Sequence, residues 1–114
     1  MSSVELPLFV HWEKTLRDIL CRSEKFPKRV RFTFSSRVDN LALDVLELIV
    51  EARYMKDKSA VLAKANLQLE KLRVLLRICH EERHLDHKGF EHAARNIDEA
   101  GRMIGGWLRS RSAP

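Results

Sequence analysis

Residues 59–79 read SAVLAKANLQLEKLRVLLRIC, and the fold follows from this stretch. Leu62, Ala65, Leu69, Leu72, Leu76 and Cys79 recur at alternating steps of three and four, which places all six on one side of an α-helix. No strand has that period. A helix, the third of the chain, is expected from about Ala60 to Arg83. Ser59 is its expected N-cap, at the end of the polar turn Lys56-Asp57-Lys58-Ser59. Such a stripe needs other helices to cover it, and the flanking sequence supplies three.

Upstream, Leu8, Trp12, Leu16, Ile19 and Leu20 keep helical spacing and predict a first helix over 6–23. Pro7 suits its first turn, where the missing N–H costs nothing. Phe26-Pro27 marks a break. Val30, Phe34, Val38, Leu41, Val45, Leu48 and Ala52 then predict a second helix over 27–54. Leu43, Leu46 and Val50 give it another apolar face, which calls for partners on two sides, in the bundle or in a second copy. Downstream, Leu85-Asp86 is the next break, and Asp86 suits the N-cap of a fourth helix over 87–109. Its stripe is Phe90, Ala93, Ile97, Gly101, Ile104 and Leu108, and residues 110–114 are expected to fray. Short connections between long helices dictate an all-α, antiparallel up-down-up-down four-helix bundle. A chain of 114 residues accommodates one such domain.

The composition, 45% apolar and 32% charged, is that of a globular domain rather than a disordered one. No apolar run approaches the ~20 residues that cross a bilayer, and the opening residues lack the basic-then-apolar order of a secretory leader. No membrane association is expected, and the expected location is the cytoplasm. Cys21 and Cys79, both at helical apolar positions, are read as reduced core residues. Trp12 and Trp107 are read as core or interface anchors. Gly105-Gly106 lies inside the fourth helix at a cost of about 2 kcal/mol relative to alanine. Either another backbone approaches closely there or the helix end frays.

The net charge of +5 points to a polyanion or to an acidic protein surface, and its placement sharpens the hint. Lys88, Arg95, Arg102 and Arg109 fall at seven-residue intervals, hence on one helix face, a stripe of about 31 Å at 1.5 Å per residue. The alternative is a solvated face softened by Glu91, Asp98 and Glu99. A second set, Lys28, Arg29, Arg31 and Arg37, follows Arg22 and Lys25, with Glu24 the only acidic residue between 22 and 38. Cations at a helix start oppose its dipole, which favours an anionic partner; the alternative is a solvated face. Phe32 and Phe34 are interleaved there and can stack on bases. Phe34 belongs to the apolar stripe, which leaves Phe32 as the exposed candidate. Arg73 and Arg77 lie one turn apart, with Glu70 near enough for a salt bridge as the alternative.

His80-Glu81-Glu82-Arg83-His84 spells the H-E-x-x-H pattern of zinc proteases. That chemistry also needs a third ligand and a substrate cleft, and a bundle this small offers little of either. No Ser-His-Asp order, phosphate-binding loop or CxxC pair is present. The expectation is a binding protein, not an enzyme, with no cofactor and no metal.

Three segments, RVDNLALDVLE (37–47), LRVLLR (72–77) and GRMIGGWL (101–108), resemble the accessory variability determinant (Avd) family of diversity-generating retroelements. That family is similar to four-helix proteins encoded in 23S rRNA intervening sequences. The resemblance spans the chain from about Trp12 to Ser110. It implies a barrel-like homopentamer with a basic surface. It also implies association with the retroelement's reverse transcriptase and its template RNA, or with DNA or an RNA/DNA hybrid, during mutagenic cDNA synthesis. Arg73, Arg77 and Arg102 lie inside the resembling segments, so the contact role is carried to them. Lys88, Arg95 and Arg109 rest on the stripe, and Lys28, Arg29, Arg31 and Arg37 on the second basic set.

Overall fold

The computed structural model describes residues 5–112. They form four helices, α1 (Glu5–Ser23), α2 (Ser36–Tyr54), α3 (Ser59–Glu81) and α4 (His87–Ser112), and no strand. Each helix packs on the next and α4 returns to α1, closing a four-helix bundle that measures 50 × 23 × 19 Å. No helix among the described residues is long and apolar enough to cross a membrane.

The core is the one the heptads call for. All six stripe residues of α3 are buried, as are Leu8, Trp12, Leu16 and Ile19 of α1 and Ala93, Ile97, Ile104 and Trp107 of α4. Each large side chain buried in this way stabilises by roughly 1.5–3 kcal/mol. The Trp12 indole N–H is satisfied as well, donating to the Ala42 carbonyl at 2.9 Å. Of the second apolar face of α2, Leu43 is exposed and Leu46 and Val50 are half-buried.

The second helix departs from its expected span of 27–54. Residues Lys28–Val30 form a 3₁₀ turn and Arg31–Ser35 a π turn before α2 begins at Ser36. The Ser36 N–H donates to the Arg31 carbonyl, five residues back. Val30 and Val38 both point into the core, yet eight residues of α-helix would leave them about 80° apart. The wider π turn absorbs that excess rotation.

Other boundaries moved for local reasons. The third helix stops at Glu81, two residues early, because Arg83 takes φ 66°. The His84 N–H then reaches the Cys79 carbonyl at 2.8 Å and the Arg83 N–H the His80 carbonyl at 3.0 Å, a Schellman closure. Ser59 is the first helical residue of α3 rather than its cap. Asp57 accepts from the Ser59 N–H at 3.0 Å instead. Asp86 caps α4 as expected, accepting from the Gly89 N–H at 2.7 Å. The helix expected to end at residue 109 runs on to Ser112; Ala113 and Pro114 lie outside the described residues. Cys79 is buried but Cys21 is exposed, because it sits on the side of α1 opposite Trp12 and Ile19. No backbone approaches Gly105 or Gly106; the nearest atoms to a Cβ at either belong to the Arg109 side chain.

Lys58, read from sequence as part of a polar turn, is only 9% exposed. Its Nζ donates to the carbonyls of Ala52 at 2.6 Å and Met55 at 3.0 Å and lies 5.7 Å from the centre of the Trp107 ring. The ammonium thus caps α2 with its own positive charge and ties α2, α3 and α4 together at one end of the bundle.

Candidate nucleic-acid interface

The α4 stripe is real as geometry. Seven-residue spacing drifts only about 20° per heptad, so Lys88, Arg95, Arg102 and Arg109 stay on the outer face, and all four are exposed. Its charge, however, is compensated in part. Arg95 pairs with Glu91 at 3.0 Å, and the Arg102 Nε donates to Glu99 at 3.1 Å. Across the α3–α4 groove Arg73 meets Asp98 at 3.3 Å, while Arg77 holds Glu81 on its own helix at 3.1 Å. The expected alternative partner Glu70 is not used by Arg73. Exposed pairs of this kind contribute at most about 1 kcal/mol and are screened by salt, so a phosphate can displace them, but they cancel the local field. Lys88 and Arg109 have no ion pair among the described residues.

The second basic set is different. Lys28, Arg29, Arg31 and Arg37 are all exposed, and none forms an ion pair with another described residue. The irregular 3₁₀ and π turns carry the first three, and Arg37 opens α2. The nearest carboxylate in sequence after Glu24 is Asp39, which is occupied: it accepts from the Ser23 hydroxyl at 2.5 Å. Burial pushes the Asp39 carboxyl above its ordinary 3.8, partly offset by that hydrogen bond.

Two aromatic rings flank these cations with opposite fates. Phe34 packs half-buried against the core, its ring 6.2 Å from that of His84. Phe32 projects into solvent, 87% exposed. Its ring stands between two open grooves. One, of about 690 Å³ on the α1 side, is edged by Lys28 and Arg31. The other, of about 840 Å³ between α2 and α3, is edged by Arg37 and Lys71. Lys71 carried no sequence signal, because only the α2–α3 packing brings it opposite Arg37.

The H-E-x-x-H pattern is divided by the end of α3. His80 stays on the helix, stacks on Phe90 at 5.1 Å and bonds through Nδ1 to the Leu85 carbonyl at 3.1 Å. His84 lies beyond the left-handed Arg83, turned toward Phe26 and Phe34. The two imidazoles therefore do not share a helix face, which the zinc-protease arrangement requires. Among the described residues no three His, Cys, Asp or Glu side chains converge as metal ligands.

Residues 10–111 match the family model described as bAvd-like. No curated protein matches the chain.

Proposed function

The chain belongs to the bAvd-like family, and from that premise we propose that it is a non-catalytic accessory protein of a diversity-generating retroelement. In this reading it binds template RNA and the reverse transcriptase through its basic surfaces, supports mutagenic cDNA synthesis in the cytoplasm, and assembles as a barrel-like homopentamer. The observation that carries the nucleic-acid part is the cluster of exposed, unpaired Lys28, Arg29, Arg31 and Arg37 at the head of α2. Arg37 lies in the first turn of α2, where a cation opposes the helix dipole, and none of the four is held by a carboxylate of the described residues, which leaves them free to meet phosphates. The α4 stripe is the second contact. There phosphates exchange with weakly held carboxylates of the chain itself.

The test is a mobility shift with RNA at 50 and 200 mM salt. Each phosphate contact contributes to the slope of affinity against salt, and reversing Arg29 and Arg31 to glutamate is expected to flatten that slope by about one per cation. Absence of binding at 50 mM salt rejects the reading. The polymerase part is tested by pull-down with the reverse transcriptase encoded beside this gene. A gene set instead within 23S rRNA favours the intervening-sequence relatives.

A second reading, a structural oligomer that binds protein only, draws on two observations. Arg73, Arg77, Arg95 and Arg102 are engaged with carboxylates of their own chain. Leu43, Leu67 and Val74 are exposed on the outside of α2 and α3. The same mobility shift separates the two readings.

A further inference from the structure

Phe32 is the most exposed large apolar side chain of the described residues, and its position has no folding rationale. Val30, Phe34 and Val38 on either side pack toward the core, while the π turn at Arg31–Ser35 leaves the Phe32 ring outside the packing. π turns are rare and occur frequently at functional sites. The ring is also not an isolated apolar spot on a neutral face. It forms the wall shared by two grooves, one lined by Lys28 and Arg31 together with Glu24 and Asp39, the other by Arg37 and Lys71 together with Asp44 and Glu70.

A flat π-face flanked by exposed cations that form no ion pair among the described residues is complementary to one kind of polyanion. A single-stranded nucleic acid presents phosphates and unstacked bases together, so its backbone can run along the cations while a base lies on the ring. A duplex keeps its bases inside the stack and offers the ring nothing. We propose that the α1–α2 junction is a binding site for single-stranded RNA, in which Phe32 stacks on an unpaired base and Lys28, Arg31, Arg37 and Lys71 hold the flanking phosphates. The inference rests on the RNA-binding reading above and adds to it a preference for unpaired strand and the residue that confers it.

Fluorescence anisotropy of the full chain with a labelled 12-nucleotide single-stranded RNA and with a 16-base-pair RNA duplex tests it. Phe32→Ala is expected to weaken single-strand binding by about 5-fold to 100-fold, the range set by one lost base–aromatic stack. Duplex binding should stay within about twofold, and Phe32→Trp should restore single-strand affinity. Because the ring lies outside the core, the variant should keep its helical circular dichroism. Unchanged single-strand affinity in Phe32→Ala overturns the proposal, as does an equal loss for both RNAs. A change of oligomeric state in Phe32→Ala with unaltered RNA affinity overturns it too, and marks the ring as an intersubunit contact. If the wild type binds neither RNA, the RNA-binding reading itself fails; if it binds both and Phe32→Ala has no effect, only the stacking site fails.

Discussion

Arg83 occupies the left-handed region at φ 66°, which costs a residue with a Cβ roughly 1–2 kcal/mol. It is nevertheless the pivot that lets the chain leave α3 with two further backbone bonds made. Arg83→Gly removes the steric cost but adds freedom to the unfolded chain, so a net gain of about 0.5–1 kcal/mol is expected. Chemical denaturation measures it; a loss would mean that the Arg83 side chain contributes in some other way. Asp39 offers a pH test. Its raised pKa means that the folded protein holds this proton more tightly than the unfolded chain does. Ionisation therefore subtracts stability as pH rises from 3.8 through the folded value, and the deficit remains at neutral pH. Asp39→Asn keeps an acceptor for the Ser23 hydroxyl without the charge. It should match or exceed the parent in thermal stability at pH 7 and lose any advantage below 3.8. A variant less stable at pH 7 would show that the carboxylate is held by favourable charge instead. The two thiols also divide by burial: Cys79 is pushed up to about 11 by its apolar surroundings, whereas Cys21 faces solvent.

At the scale of elements, α3 and α4 were legible because a helix buried along one stripe writes its period directly into the sequence. Every residue from Leu62 to Cys79 in the α3 stripe is buried. The head of α2 was not legible. A step of four from Val30 to Phe34 to Val38 fits an α-helix and a π turn alike, and only the direction of both valines separates them. The stripe Lys88–Arg95–Arg102–Arg109 was legible as a face but not as a charge. Glu91 and Glu99 neutralise from within α4, and Asp98 draws in Arg73 from α3, a pairing that depends on how two helices sit side by side. Reversing Arg102 and Arg109 to glutamate is expected to weaken RNA or polymerase association without unfolding the bundle. Loss of melting cooperativity or of assembly in the double variant would assign those side chains a structural role. Since Arg102 already meets Glu99, the effect should be smaller than that of reversing Arg29 and Arg31, by about the 1 kcal/mol that an exposed pair provides.

For the whole molecule, the four-helix architecture was readable from helix lengths and short connections, whereas assembly is not a property of one chain's heptads. The outer apolar residues Leu43 of α2 and Leu67 and Val74 of α3 are available to self-association. Light scattering at micromolar concentration is expected to give five times the 13.3 kDa chain mass; a clean monomer would contradict the pentamer.

The buried ammonium of Lys58 gives the rod a polarity. At that pole three helices are latched by one cation bonded to carbonyls and set against the Trp107 indole. The opposite pole, where α1 hands over to α2, is held by short turns and by rings packed around His84. Amide hydrogen exchange is therefore expected to be slower around the Lys58 latch than in the turns that join α1 to α2.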